Sequence, residues 1–125
     1  MKKIVFTDAA PKAIGPYSQA VEANGTLYIS GQVPIDPATG KLVEGGIREQ
    51  TQQVMKNIQA ILEAADYSIN DVVKSVCLLS DMDNFAVMNE VYGSFYTNAH
   101  PARAAFGVVK LPLGALIEIE TVAVK

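Results

Sequence analysis

From position 47 to 65, Ile47, Thr51, Val54, Met55, Ile58, Ile61, Leu62 and Ala65 recur at spacings of three and four. That rhythm predicts a helix with one stripe turned toward a core, leaving Arg48, Gln52, Gln53, Lys56, Gln59 and Glu63 mostly in water. A second stripe of Phe85, Met88, Val91, Tyr92 and Phe95 predicts a helix over 83–97, with Asp81 or Asp83 as its N-cap. Residues 72–80 are rich in β-branched side chains and predict a strand. Pro101 opens another over 102–109, and Leu111-Pro112-Leu113-Gly114 breaks it before a last strand over 116–124. Near the start, 3–6 predicts a short strand. Segments 18–23 and 26–30 flank Asn24-Gly25, a pair that tolerates positive φ and so favours a hairpin. Asp36-Pro37-Ala38-Thr39-Gly40 reads as a turn.

The order is strands, helix, strand, helix, two strands. It predicts an α+β fold with one sheet of about six strands and two helices on one face. The late strands are apolar on both faces: Val76 and Leu78 alternate with Cys77 and Leu79, and Val108 lies opposite Val109. A sheet with two apolar faces and helices on only one has to hide the other, which predicts a homo-oligomer.

Composition narrows the function classes. The chain has 125 residues, half of them hydrophobic and 18% charged, which predicts one globular domain over 1–125. A formal net charge of −3 argues against binding a nucleic-acid backbone. Ile4-Val5-Phe6 is too short for the apolar core of a signal peptide, and no run approaches a membrane span, so the expected compartment is the cytoplasm. Cys77 is the only cysteine and His100 the only histidine. An internal disulfide is excluded, a metal site is not expected, and Cys77 reads as a small core residue. The proline after His100 suggests a loop rather than the base of a serine triad. Gly45-Gly46 lacks the pattern of a phosphate loop.

The chemistry gathers around a lone arginine. Strand alternation puts Arg103, Ala105 and Gly107 on one face, so the guanidinium lies beside exposed backbone. Glu118 and Glu120 share a face of the last strand. The pattern admits two roles for Arg103: a structural ion pair with a glutamate, or a bidentate grip on a substrate carboxylate with a glutamate positioning water. Gly15-Pro16-Tyr17-Ser18 and Ser30-Gly31-Gln32-Val33-Pro34 read either as turns or as pocket walls, Tyr17 following a rigid corner and Gly31 allowing close backbone approach.

Taken together, Ile14-Gly15-Pro16-Tyr17-Ser18-Gln19, Ser30-Gly31-Gln32-Val33-Pro34, Pro101-Ala102-Arg103-Ala104 and Leu111-Pro112 followed by Ile117-Glu118-Ile119-Glu120 resemble the RidA/YjgF family of imine deaminases along essentially the whole chain. The resemblance implies a chorismate-mutase-like α+β fold, a homotrimer and three clefts between subunits. It implies hydrolysis of 2-imino acids such as 2-iminobutanoate and 2-iminopropanoate, released by pyridoxal-phosphate enzymes, to 2-oxo acids and ammonia. Arg103 matches the family's carboxylate-binding arginine, Glu118 the glutamate that orients water, and Tyr17 the pocket tyrosine. Ser30 and Gly31 match the adjoining wall, and Asn89 a polar residue of the same cleft. Ala105 falls where many members carry cysteine, and Gly107 where many carry glutamate. A mechanism needing a thiol at 105 is thereby ruled out, while the backbone carbonyl there, which the resemblance implies accepts the imine N–H, remains.

The expected mechanism needs no metal, cofactor or covalent nucleophile. Glu118 holds water for attack, a role worth roughly 10²–10⁴ in rate. The alternative is a regulatory module that senses 2-oxo acids through the same Arg103 pocket. Ribonuclease or translation-inhibitor activity is weaker still, because the chain lacks a basic stripe with interleaved aromatics.

Overall fold

The structure, a computed structural model, describes residues 1–125. The chain runs through β1 (Lys3–Val5), β2 (Ala20–Ala23), β3 (Thr26–Gln32), β4 (Ile35–Asp36), β5 (Lys41–Leu42), α1 (Ile47–Ala64), β6 (Val72–Leu79), α2 (Phe85–Ser94), β7 (Ala102–Gly107) and β8 (Ile117–Val124). Six strands form one sheet in the order β1-β2-β3-β8-β6-β7. Every neighbouring pair is antiparallel except β6 and β7, which run parallel because α2 supplies the crossover between them. The mixed six-stranded α+β architecture is the one the sequence predicts.

Local chemistry sets the connections. Asn24 (φ 52°) and Gly25 (φ 76°) both take the left-handed conformation that a tight hairpin between twisted strands requires. The turn at 36–40 caps a separate β4–β5 hairpin, a pair of strands too short to show in the pattern. The eight-residue stripe predicted for α1 is buried throughout. Two polar residues of the helix are buried as well. Asn57 donates to the carbonyls of Val33 (3.3 Å) and Ile35 (3.0 Å), and Gln50 accepts from the Leu116 N–H (2.8 Å). These bonds tie α1 to the segment after β3 and to the entry of β8.

The second helix is shorter than its apolar rhythm suggests. A 3-10 turn over Met82–Asn84 precedes it, capped by Asp81, whose carboxylate accepts from the Asp83 N–H at 2.9 Å. Gly93 weakens its last turn, and the Ser94 hydroxyl bonds back to the Val91 carbonyl (2.6 Å). Strand β7 likewise ends at Gly107, so the Val108–Val109 pair lies beyond the sheet, with Val109 fully in solvent.

One sheet face, carrying Leu27, Ile29, Cys77, Leu79, Ile117 and Ile119, packs on the helices to make the core. The other carries Tyr28, Phe106 and Val124, each 44–53% exposed, with Val76, Leu78 and Val122 partly covered. No helix lies over this second face, as the two-faced strands predict. No helix is long and apolar enough to cross a membrane.

Candidate functional site

Register places Arg103 opposite Ser75 and Ala105 opposite Cys77, both buried residues of the helix-side face. Arg103 therefore projects toward α2. Its Nη1 donates to Asn89 Oδ1 at 2.7 Å, and its guanidinium carbon lies 5.1 Å from the Tyr92 ring centre and 5.5 Å from that of Phe85. Phe85, Asn89 and Tyr92 are four and three residues apart, so they share one helix face. No carboxylate of the chain pairs with Arg103. The single ion pair is Arg48–Glu90 (3.1 Å), on the surface between the helices. The guanidinium opens into a hollow of about 380 Å³ lined by Asn89, Tyr92, Gly93, His100, Pro101 and Arg103. A cation held on two ring faces and one amide keeps Nε and Nη2 free for an anion.

Glu118 and Glu120 lie opposite Leu78 and Val76, on the face without helices. They line a cavity of about 510 Å³ together with Tyr17, Ser30, Gly31 and Lys12. Burial raises the Glu118 carboxyl above the ordinary carboxylate range, and the like charge of Glu120 adds to it. Gly31 is the residue that admits this carboxylate: a Cβ there would collide with the Glu118 Oε2. Ser30 is fixed by its hydroxyl, which donates to the Ser18 carbonyl (2.6 Å), and by its N–H, which donates to the Gln19 carbonyl (3.0 Å). The Gln19 side chain is itself buried, donating to the carbonyls of Thr7, Ala10 and Pro11 and accepting from the Thr7 N–H (2.7 Å). It fastens the strand that carries the site to the loop leading to Tyr17. The Tyr17 ring is half exposed at the cavity, and its hydroxyl accepts from the Ile14 N–H at 3.4 Å.

The predicted residues thus form two groups. Tyr17, Ser30, Gly31 and Glu118 line one cavity; Arg103 and Asn89 line a hollow on the opposite face, with Ala105 following Arg103 on the same face of β7. The β7 strand is an outer strand of the sheet, so one backbone edge is unpaired within the chain. Behind Ala105, Cys77 is fully buried; burial pushes its thiol up to about 11, and the Arg103 charge offsets only part of that. That Phe85 and Tyr92 form the floor under the guanidinium is not legible in their apolar spacing, which marks only a buried stripe. Asn89, a polar residue between them on one helix face, is the available signal. Nor do composition and spacing mark Lys12 and Leu113 at the Glu118 cavity.

Residues 7–125 match the Endoribonuclease L-PSP family. The chain belongs to that family. This is the family resembled in the motif set, known also as RidA/YjgF. A RutC family protein of Pyrococcus horikoshii is 56% identical over 125 residues, covering 100% of this chain and 99% of the relative. The 2-iminobutanoate/2-iminopropanoate deaminase of Mus musculus is 49% identical, covering 100% of this chain and 93% of its own. The crystal structure of RidA from an Antarctic Psychrobacter superimposes with a TM-score of 0.95 at 48% identity, over 98% of this chain and 99% of that one.

Proposed function

We propose that the protein hydrolyses 2-imino acids, with 2-iminobutanoate and 2-iminopropanoate as the type substrates, to 2-oxo acids and ammonia. Relatives of nearly half identity carrying that name over the full chain support this reading. One observation of the molecule carries it: Arg103 is poised with no carboxylate partner of its own, the state a substrate-binding fork requires.

Because Arg103 and Glu118 leave opposite faces, the working site joins the Arg103 group of one protomer to the Glu118 group of a neighbour. A homotrimer closed by the apolar sheet face supplies three such clefts and covers Tyr28, Phe106 and Val124. In the cleft, Arg103 holds the carboxylate and the Ala105 carbonyl accepts an iminium N–H. Tyr17, Ser30 and Gly31 form the facing wall, and Asn89 steadies the arginine. Water adds to C2 as Glu118 accepts one of its protons, giving a 2-amino-2-hydroxy acid. Glu118 returns that proton to nitrogen and the C–N bond breaks. The hydroxyl proton then passes to the departing ammonia, leaving the 2-oxo acid and ammonium. A base whose pKa lies above the usual carboxylate value is better matched to this transfer near neutral pH. The acidic net charge leaves nucleic acid a poor partner, and small metabolites of the cytoplasm the fitting ones.

The test generates 2-iminobutanoate with a threonine dehydratase and follows 2-oxobutanoate release with and without the protein. Acceleration that disappears in Arg103→Ala is the expected result. Tight 2-oxobutanoate binding without acceleration would instead make the protein a sensor.

A further inference from the structure

We infer that Leu113 selects which imino-acid side chains the site accepts, favouring branched or extended apolar ones. The inference rests on the functional reading above. Leu113 stands at φ 59° and ψ 17°, the left-handed region that a branched L-residue rarely occupies. Gly114 follows at φ 72°, so two successive positions are left-handed and glycine occupies only the second. Glycine would take position 113 free of that steric penalty, and asparagine would take it with a smaller one.

Packing does not explain the leucine. Its side chain is 60% exposed and belongs to no part of the buried core. What it does instead is line the Glu118 cavity, together with Pro112, Ile14 and Val33. An apolar side chain held in an unfavourable backbone geometry at a cavity is the kind of outlier that points to function. The substrate has three substituents on C2. Arg103 takes the carboxylate and the Ala105 carbonyl takes the nitrogen, so the side chain is left to run along the cavity wall. The apolar part of that wall includes Ile14, Val33, Ile35, Pro112 and Leu113, more apolar surface than a single methyl group can use.

The experiment compares Leu113→Gly, Leu113→Asn and Leu113→Met. The imines of leucine and alanine are generated by an added amino-acid oxidase, and semicarbazide competes for free imine. In the glycine and asparagine variants the ratio of kcat/KM for the leucine imine over the alanine imine is expected to fall about tenfold. Their thermal midpoints should match or exceed that of the parent, because the backbone is relieved. Leu113→Met should keep most of the ratio. An unchanged ratio in Leu113→Gly, or a lowered midpoint there, overturns the selecting role. A parent protein that accelerates neither imine overturns the functional reading itself, so the two failures are distinguishable.

Discussion

Arg103 and Glu118 stand on strands that flank the same central strand, β6, yet they project from opposite faces of the sheet. A reaction that needs both cannot be completed within one chain. Mixing and reassembling two inactive variants, Arg103→Ala and Glu118→Gln, should therefore restore turnover. With random reassembly at equal amounts, about a quarter of the clefts receive an intact half from each chain. Recovery near that fraction in the 2-oxobutanoate assay is the expected outcome. No recovery from a properly mixed oligomer would place both groups in the same protomer's site.

Arg103→Lys should lose most of the activity although the charge remains. Lysine offers a point charge, whereas the guanidinium gives Nη1 to Asn89 and keeps a second edge for the substrate. The loss should be on the order of 10²-fold in kcat/KM, the worth of one or two charge-assisted hydrogen bonds. A lysine variant of full activity would count against bidentate binding.

Glu118 should set the acid limb of the pH profile. Its folded carboxyl is raised above the ordinary 4.5 by burial first and by Glu120 second. The base has to be ionised, so kcat/KM should fall as pH drops through a midpoint above 4.5. Glu120→Gln removes the repulsion and should move that midpoint downward without abolishing turnover. A larger loss in Glu120→Gln than in Glu118→Gln would mean that Glu120 is the base. The same shift has a stability sign. A carboxyl that binds its proton more tightly when folded contributes most below its unfolded pKa, and that contribution is lost as pH rises through the folded pKa. Glu118→Gln should accordingly melt higher than the parent at pH near 7, with the difference shrinking as the pH approaches 4.5.

Thiol reagents should leave turnover unchanged. Cys77 is fully buried and its thiol, at about 11, stays protonated at neutral pH. Position 105 carries alanine, so no cysteine meets the substrate. Loss of activity on iodoacetamide treatment, abolished in Cys77→Ala, would show that the strand opens during turnover.

Much of this was legible in the chain because it is written in repeating local signals. The α1 stripe and the Asn24-Gly25 turn each follow from a few neighbouring residues, and the motif set names the candidate residues that line the two cavities. What the pattern could not give is strand order. Alternation says that Arg103 shares a face with Ala105 and that Glu118 shares one with Glu120, but only the pairing of β7 and β8 to β6 says that these faces are opposite. The buried amides of Gln50 and Asn57 were illegible for a related reason: their partners lie 66 residues away in the first case and 22 and 24 in the second. The β4–β5 hairpin, with two residues in each strand, is too short to carry a period.

Gly31 gives the sharpest separation of catalysis from folding. A methyl group there would meet the Glu118 carboxylate, whose Cδ lies 2.9 Å and Cγ 3.2 Å from the added carbon. The obstructing atoms belong to the end of a flexible side chain, so in Gly31→Ala the carboxylate moves and the backbone stays. Displacing a base by about 1 Å can cost roughly 10² in rate, and that loss should appear in kcat. KM should change less, because Arg103 is untouched on the other face. The thermal midpoint should stay within a few degrees of the parent. If the alanine acts only by displacing Glu118, adding it to Glu118→Gln should cost little more, whereas independent effects would multiply. A Gly31→Ala protein with undiminished kcat, or a double variant whose losses multiply, would remove Glu118 from the position argued for it.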